Sequence, residues 1–161
     1  MSLENPLWQY ATTLYSQPGV EQCCLQLQDQ GAIIDRLLFA CWLGHRGIRL
    51  TPQRLRELSD DWHSEVVRPL RAVRYRVRSR MSRMPEAESC YRALRQAELA
   101  AEQLELMQLW QLSRDWTPEV TADQALLRHN MEQVLSDERD QPNEVLLSQL
   151  VSAAMKLLAG D

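Results

Sequence analysis

Residues 33–43 are apolar almost all the way round a helical wheel and end in the unbroken run LLFACWL, residues 37–43. A helix without a polar side is stable only when other helices surround it. The run is also far short of the roughly 20 apolar residues needed to cross a bilayer. These two limits make the segment the expected centre of a soluble helical core and require the rest of the chain to supply its neighbours.

The remaining sequence reads the same way. Asn5-Pro6 has the form of a cap and first helical position, followed by Leu7, Trp8, Ala11, Leu14 and Tyr15 on one face. Pro18-Gly19 breaks the chain; a second helix then buries Val20, Cys23, Cys24 and Leu27 and ends at Gly31. The central segment is expected to stop at Gly44, and Thr51-Pro52 opens a helix carrying Leu55 and Leu58. Pro69 has no amide hydrogen, so the helix around it must kink or split near residues 64–69. Beyond Pro85 a long pattern runs over residues 86–113. The box TADQ, residues 121–124, starts another helix, and Pro142 begins a last one with Val145, Leu146, Leu150, Ala153, Ala154 and Leu157 as its apolar residues. No alternating strand pattern competes. The expectation is an all-α fold: a compact single-domain bundle of about seven or eight helices over residues 1–161.

A chain of 161 residues can bury roughly 70% of its unfolded surface, enough for a real core. The opening residues have neither a basic start nor a long apolar stretch, which points to a cytoplasmic location and no membrane. Cys23, Cys24, Cys41 and Cys90 form no Cys-x-x-Cys pair, so each is read as a small buried hydrophobe. Phosphate-cradling glycine loops, nucleophile elbows and dinucleotide fingerprints are missing from the sequence. No cofactor, metal or catalytic residue is therefore assigned.

Charge is the distinctive feature. The stretch RPLRAVRYRVRSRMSR, residues 68–83, carries seven arginines and no acid in a chain of net charge −4. On a wheel, Val66, Leu70, Val73, Val77, Met81 and Met84 form an apolar seam. Arg71, Arg74 and Arg78 flank one side of it and Arg76, Arg80 and Arg83 the other, with Arg68, Ala72, Tyr75, Ser79 and Ser82 opposite. Residues 84–161 are acidic, and a hairpin about Pro85 brings Glu86, Glu88, Glu98, Glu102 and Glu105 towards the arginines, so pairing within the chain is the bland reading. The functional reading takes Arg68, Arg71, Arg74, Tyr75 and Arg78 as the surface for an acidic protein partner or other anion. Nucleic acid is less favoured, because the net charge opposes it and Tyr75 is the only aromatic in the basic stretch. The enzymatic alternative rests on DDWHSE, residues 60–65. There Asp60, Asp61, His63 and Glu65 lie at spacings that suit a divalent metal or acid–base chemistry, although acids also suit a helix start.

LWQYATTLYSQPGVEQCCLQLQDQ, then LLFACWLG and VVRPLRAVR, resemble a small family of uncharacterised, mainly proteobacterial proteins that carry a domain of unknown function. The resemblance covers residues 7 to about 80. It rests on Trp8, Tyr15, Pro18, Gly19, Val20, Cys24, Leu25, Leu27, Gln28, Asp29, the apolar run with Trp42, and Pro69-Leu70-Arg71. The family pattern has Asp and Asn before the apolar run where this chain has Ile33 and Asp35, and no polar role is assigned to that turn. The resemblance implies no activity. It divides the chain into a family-like part, about 7–83, and an acidic helical part, 84–161.

Overall fold

Caps and prolines start most of the helices in the computed structural model, which describes residues 2–137 and 143–160. Asn5 accepts a hydrogen bond from the Trp8 amide at 3.0 Å and starts α1, Pro6–Tyr15. Gly19, at φ 82°, leads into α2, Val20–Asp29, and Gly31, at φ 100°, follows its end. Thr51 caps the short α4, Pro52–Arg56, through the Arg54 amide at 3.2 Å. Asn143 caps α8, Glu144–Leu158, through the amides of Val145 and Leu146. Pro142, expected to start that helix, lies outside the described residues, and Val145 faces solvent instead of the core.

The central helix α3, Ile34–His45, is buried along nearly its whole length, as its composition requires. It packs most extensively on α7, Gln124–Asp137, and also meets α1, α2, α6 (Glu88–Ser113) and α8. Gly44 does not end it. That glycine lies inside the helix, where an added Cβ would sit 2.7 Å from the Leu127 side chain, so its smallness serves the close approach of α7. The turn falls at Gly47, at φ 71°, whose carbonyl accepts the amides of Glu119 and Val120 at 2.9 and 3.0 Å. A Cβ there would meet the Val120 carbonyl oxygen. Asp123, rather than Thr121, caps α7 through the Leu126 amide at 2.9 Å.

Around Pro69 the helix is not split. Residues His63–Val67 form a π-helical turn, in which the Arg68 amide reaches back to the His63 carbonyl, and α5, Arg68–Arg80, continues from it. The wider turn accommodates a residue that has no amide hydrogen and whose ring would crowd the carbonyl four residues back. A tight turn at Pro85–Ala87 then reverses the chain into α6.

Among the described residues there are eight α-helices and no strand, which makes the fold an all-α bundle. No helix among them is long and apolar enough to cross a membrane. One buried cluster draws on α1, α2, α3, α6, α7 and α8. Helix α5 is absent from it: apart from the turns at its two ends, α6 is its only helical neighbour among the described residues. The buried residues of α6 all lie at Glu98 or beyond. With α5, the first third of α6 therefore forms a two-helix arm outside the core.

Candidate functional site

The π turn and the residue before it direct two side chains towards α6. The Trp62 indole donates to the Ala101 carbonyl at 2.8 Å, and His63 Nδ1 lies 3.0 Å from Glu105 Oε2, with both members of that pair buried. This separates the residues suggested as a metal or acid–base cluster. His63 points inward, Asp60 pairs with Arg36, and Asp61 and Glu65 are exposed to solvent. Among the described residues no three acidic, histidine or cysteine side chains are grouped to hold a metal ion.

Farther along α5 the apolar seam is only half-buried and is not the most buried side. Val73 is 41% exposed, whereas Arg74 is 5% exposed. The most buried positions are Val67 and Arg74, roughly 70° from the centre of the seam at 100° per residue, with Arg71 half-buried beside them. Ion pairing to the single neighbouring helix decides this rotation. Arg71 donates from Nε to Glu98 at 2.8 Å and from Nη2 to Glu102 at 3.0 Å, and Arg74 donates from Nε to the other Glu98 oxygen. Tyr91 Oη lies 3.3 Å from Arg74 Nη1. Glu98 itself is 1% exposed. Burial opposes its ionisation, but the hydrogen bonds from Arg74 and Arg71 outweigh that and hold its pKa below the usual glutamate value.

Of the five residues read as a partner surface, Arg71 and Arg74 thus belong to a buried intramolecular network, while Arg68, Tyr75 and Arg78 are exposed. The guanidinium groups of Arg74 and Arg78 lie 4.7 and 5.3 Å from the Tyr75 ring centroid. Arg76, Arg80 and Arg83 are exposed as well, beside an apolar strip in which Val73 is exposed and Val66, Leu70 and Val77 are half-buried. Between residues 68 and 97 the chain has nine arginines and two glutamates. Among the described residues only Arg71 and Arg74 of the nine have a carboxylate within 4 Å. Cys90, expected to be buried, is exposed on this same arm, because its segment of α6 lies outside the core.

At the base of the arm a cavity of about 380 Å³ opens between α1, α2, α3, α5 and α6. Trp8, Leu38 and Leu106 line it together with Asp35, Arg71 and Glu102. Asp35 is 9% exposed. Burial pushes its pKa well above the ordinary aspartate value, the charges of Glu105 and Glu102 push it further, and Arg71 opposes them only in part. Burial also raises Glu102, against Arg71 and with Glu98. The sequence reading assigned nothing to Asp35, because its neighbours come from segments far along the chain.

A carboxyl whose folded pKa exceeds its unfolded value contributes stability below the unfolded pKa, about 3.9 for aspartate, and loses that contribution as pH rises through the folded value. Asp35→Asn is therefore expected to raise the melting temperature at pH 7 by about 2–6 °C, the gain shrinking to nothing near pH 4. Thermal melts of both proteins across that range check this; a variant less stable at every pH would refute it.

The model of a family described as a protein of unknown function (DUF2390) matches residues 6–109. The match reaches beyond the resemblance read at about residue 80 and takes in the whole arm and the cavity wall formed by α6. No curated protein and no solved structure matches the chain.

Proposed function

We propose, for a chain that belongs to the DUF2390 family of proteins of unknown function, that it is a helical interaction protein whose arm captures an acidic partner protein through an amphipathic segment. The observation that carries this reading is the arm's uncompensated charge: nine arginines against two glutamates, only two of the nine paired with carboxylates among the described residues. The apolar residues beside those cations argue for a protein rather than a nucleic acid. Val73, Tyr75 and Met84 are each more than a third exposed, and a phosphate backbone offers them nothing. The rest of the chain holds nine basic and twenty acidic residues, so a long polyanion overhanging the arm meets repulsion that a short acidic segment avoids. Four free thiols fit the reducing cytoplasm in which we place the protein.

The test uses three labelled probes of equal charge: a helical peptide with glutamates on one face and leucines on the other, a polyglutamate peptide, and a single-stranded oligonucleotide. The amphipathic peptide is expected to bind best. Arg68→Glu with Arg78→Glu, and separately Val73→Asp, should each weaken it about tenfold or more with the melting temperature unchanged. The reading fails if the oligonucleotide binds at least as tightly and its affinity collapses between about 50 and 200 mM salt. It fails equally if the peptide does not bind and sedimentation shows the arm engaged by a second copy of the chain.

A further inference from the structure

We propose that the cavity at the base of the arm binds a small organic cation with an apolar body, its ammonium group facing Asp35. This site is distinct from the outer surface of the arm and does not depend on it. Asp35 lines the cavity at 9% exposure, and among the described residues no basic side chain forms an ion pair with its carboxyl. The charged groups that act on it are Glu105 and Glu102 of α6 and Arg71 of α5, two negative and one positive. Arg71 is already engaged by Glu98 and Glu102, and Arg74 by Glu98. Arg95 lines the cavity too, but it acts on Glu102 and Tyr15 and not on Asp35. Asp35 is therefore a buried acidic group without an ion-pair partner of its own among the described residues. A protonated amine supplies one and leaves the neighbouring pairs intact.

The walls select the rest of the ligand. Trp8, Ile34, Leu38 and Leu106 offer apolar area, and an indole among them suits a cation. A volume of about 380 Å³ lies within the range of small-molecule sites and is far larger than a bare metal ion needs. The absence of a three-ligand grouping among the described residues also argues against a metal ion. An anion drawn to Arg95 would share the cavity with Asp35, Glu102 and Glu21, which also line it. The exposed side chains of Leu25 and Leu99 stand where the cavity meets solvent, so a ligand has a route in.

The experiment titrates the full chain by calorimetry with three probes that share one ring and chain length: 2-phenylethylammonium, 2-phenylethanol and 3-phenylpropionate. The ammonium is expected to bind at least about tenfold more tightly than the other two. Asp35→Asn should abolish that preference while leaving the alcohol's affinity unchanged. Because a substitution at Asp35 also alters stability, a second variant, Leu99→Trp, narrows the mouth and is expected to weaken the ammonium without touching the carboxyl. The proposal is overturned if the alcohol or the carboxylate binds as well as the ammonium, if Asp35→Asn retains the preference, or if no probe binds up to its solubility limit.

Discussion

Glu98→Ala is expected to cost about 3–5 kcal/mol of folding stability, the usual penalty for removing one partner of a buried ion pair. Arg71 keeps Glu102 at 3.0 Å after the change, but Arg74, 5% exposed, is left with only the Tyr91 hydroxyl as a hydrogen-bonding partner. Most of the loss is thus the cost of a buried guanidinium without a counter-charge. Replacing all three members together, Arg71→Met, Arg74→Leu and Glu98→Leu, should recover much of it, since apolar groups of similar size need no compensation. Urea denaturation of the single and triple variants measures both; a loss below about 1 kcal/mol for Glu98→Ala would show that the network carries little. Acid provides a third reading. The pKa of Glu98 is depressed, so its contribution is present above the unfolded value, about 4.3, and disappears as pH falls through the folded one. The dependence of Asp35 runs the other way, and Asp35→Asn should therefore leave this acid-side loss in place.

Asn130→Ala is expected to cost about 2–4 kcal/mol for a different reason. Asn130, on α7, is fully buried and joins the turn after α3 to the core. Its oxygen accepts the Leu50 amide at 2.8 Å, and its nitrogen donates to the carbonyls of Ile48 at 2.9 Å and Ala40 at 3.3 Å. Alanine leaves the Leu50 amide and the Ile48 carbonyl buried without partners. Neutral Asn130→Asp keeps the acceptor and one O–H donor in place of two N–H donors and should fall between wild type and alanine; once ionised it has no donor and buries a charge, so its stability should drop as pH rises. Denaturant melts give the size of the effect. Hydrogen exchange locates it: the Leu50 amide should lose protection more than the helical amides of α3, and uniform loss would contradict the assignment.

The helices were readable because their signals are local. Asn5, Gly19, Thr51 and the apolar pattern of α3 each act within a turn or two of themselves. The turn at Gly47 was misplaced to Gly44 because both are glycines, and what separates them is a distant carbonyl in one case and Leu127 in the other. The same limit applies to the site. A wheel puts the valines of α5 inward because it knows hydrophobicity alone, whereas the buried side of a helix with one neighbour is set by what that neighbour offers. Here it offers Glu98 and Glu102, 27 and 31 residues from Arg71. The acidic helix was visible in the sequence as a possible partner for the arginines; which two arginines it would claim was not. Asp35 gave no signal, since one acid in a first helical turn is ordinary and its significance comes from the burial and charges that α5 and α6 bring to it.

The separation of a basic arm from an acidic remainder bears on what happens before any contact forms. On the reading proposed above, a negatively charged partner approaching from the far side would be turned away and one arriving near α5 drawn in, so that the field sorts trajectories by direction. Steering of this kind raises the rate of productive encounters more than it lengthens their lifetime, and it fades as added ions shorten the reach of the field. How long a visitor stays then depends on short-range contacts, above all on what covers the uncharged strip at Val73.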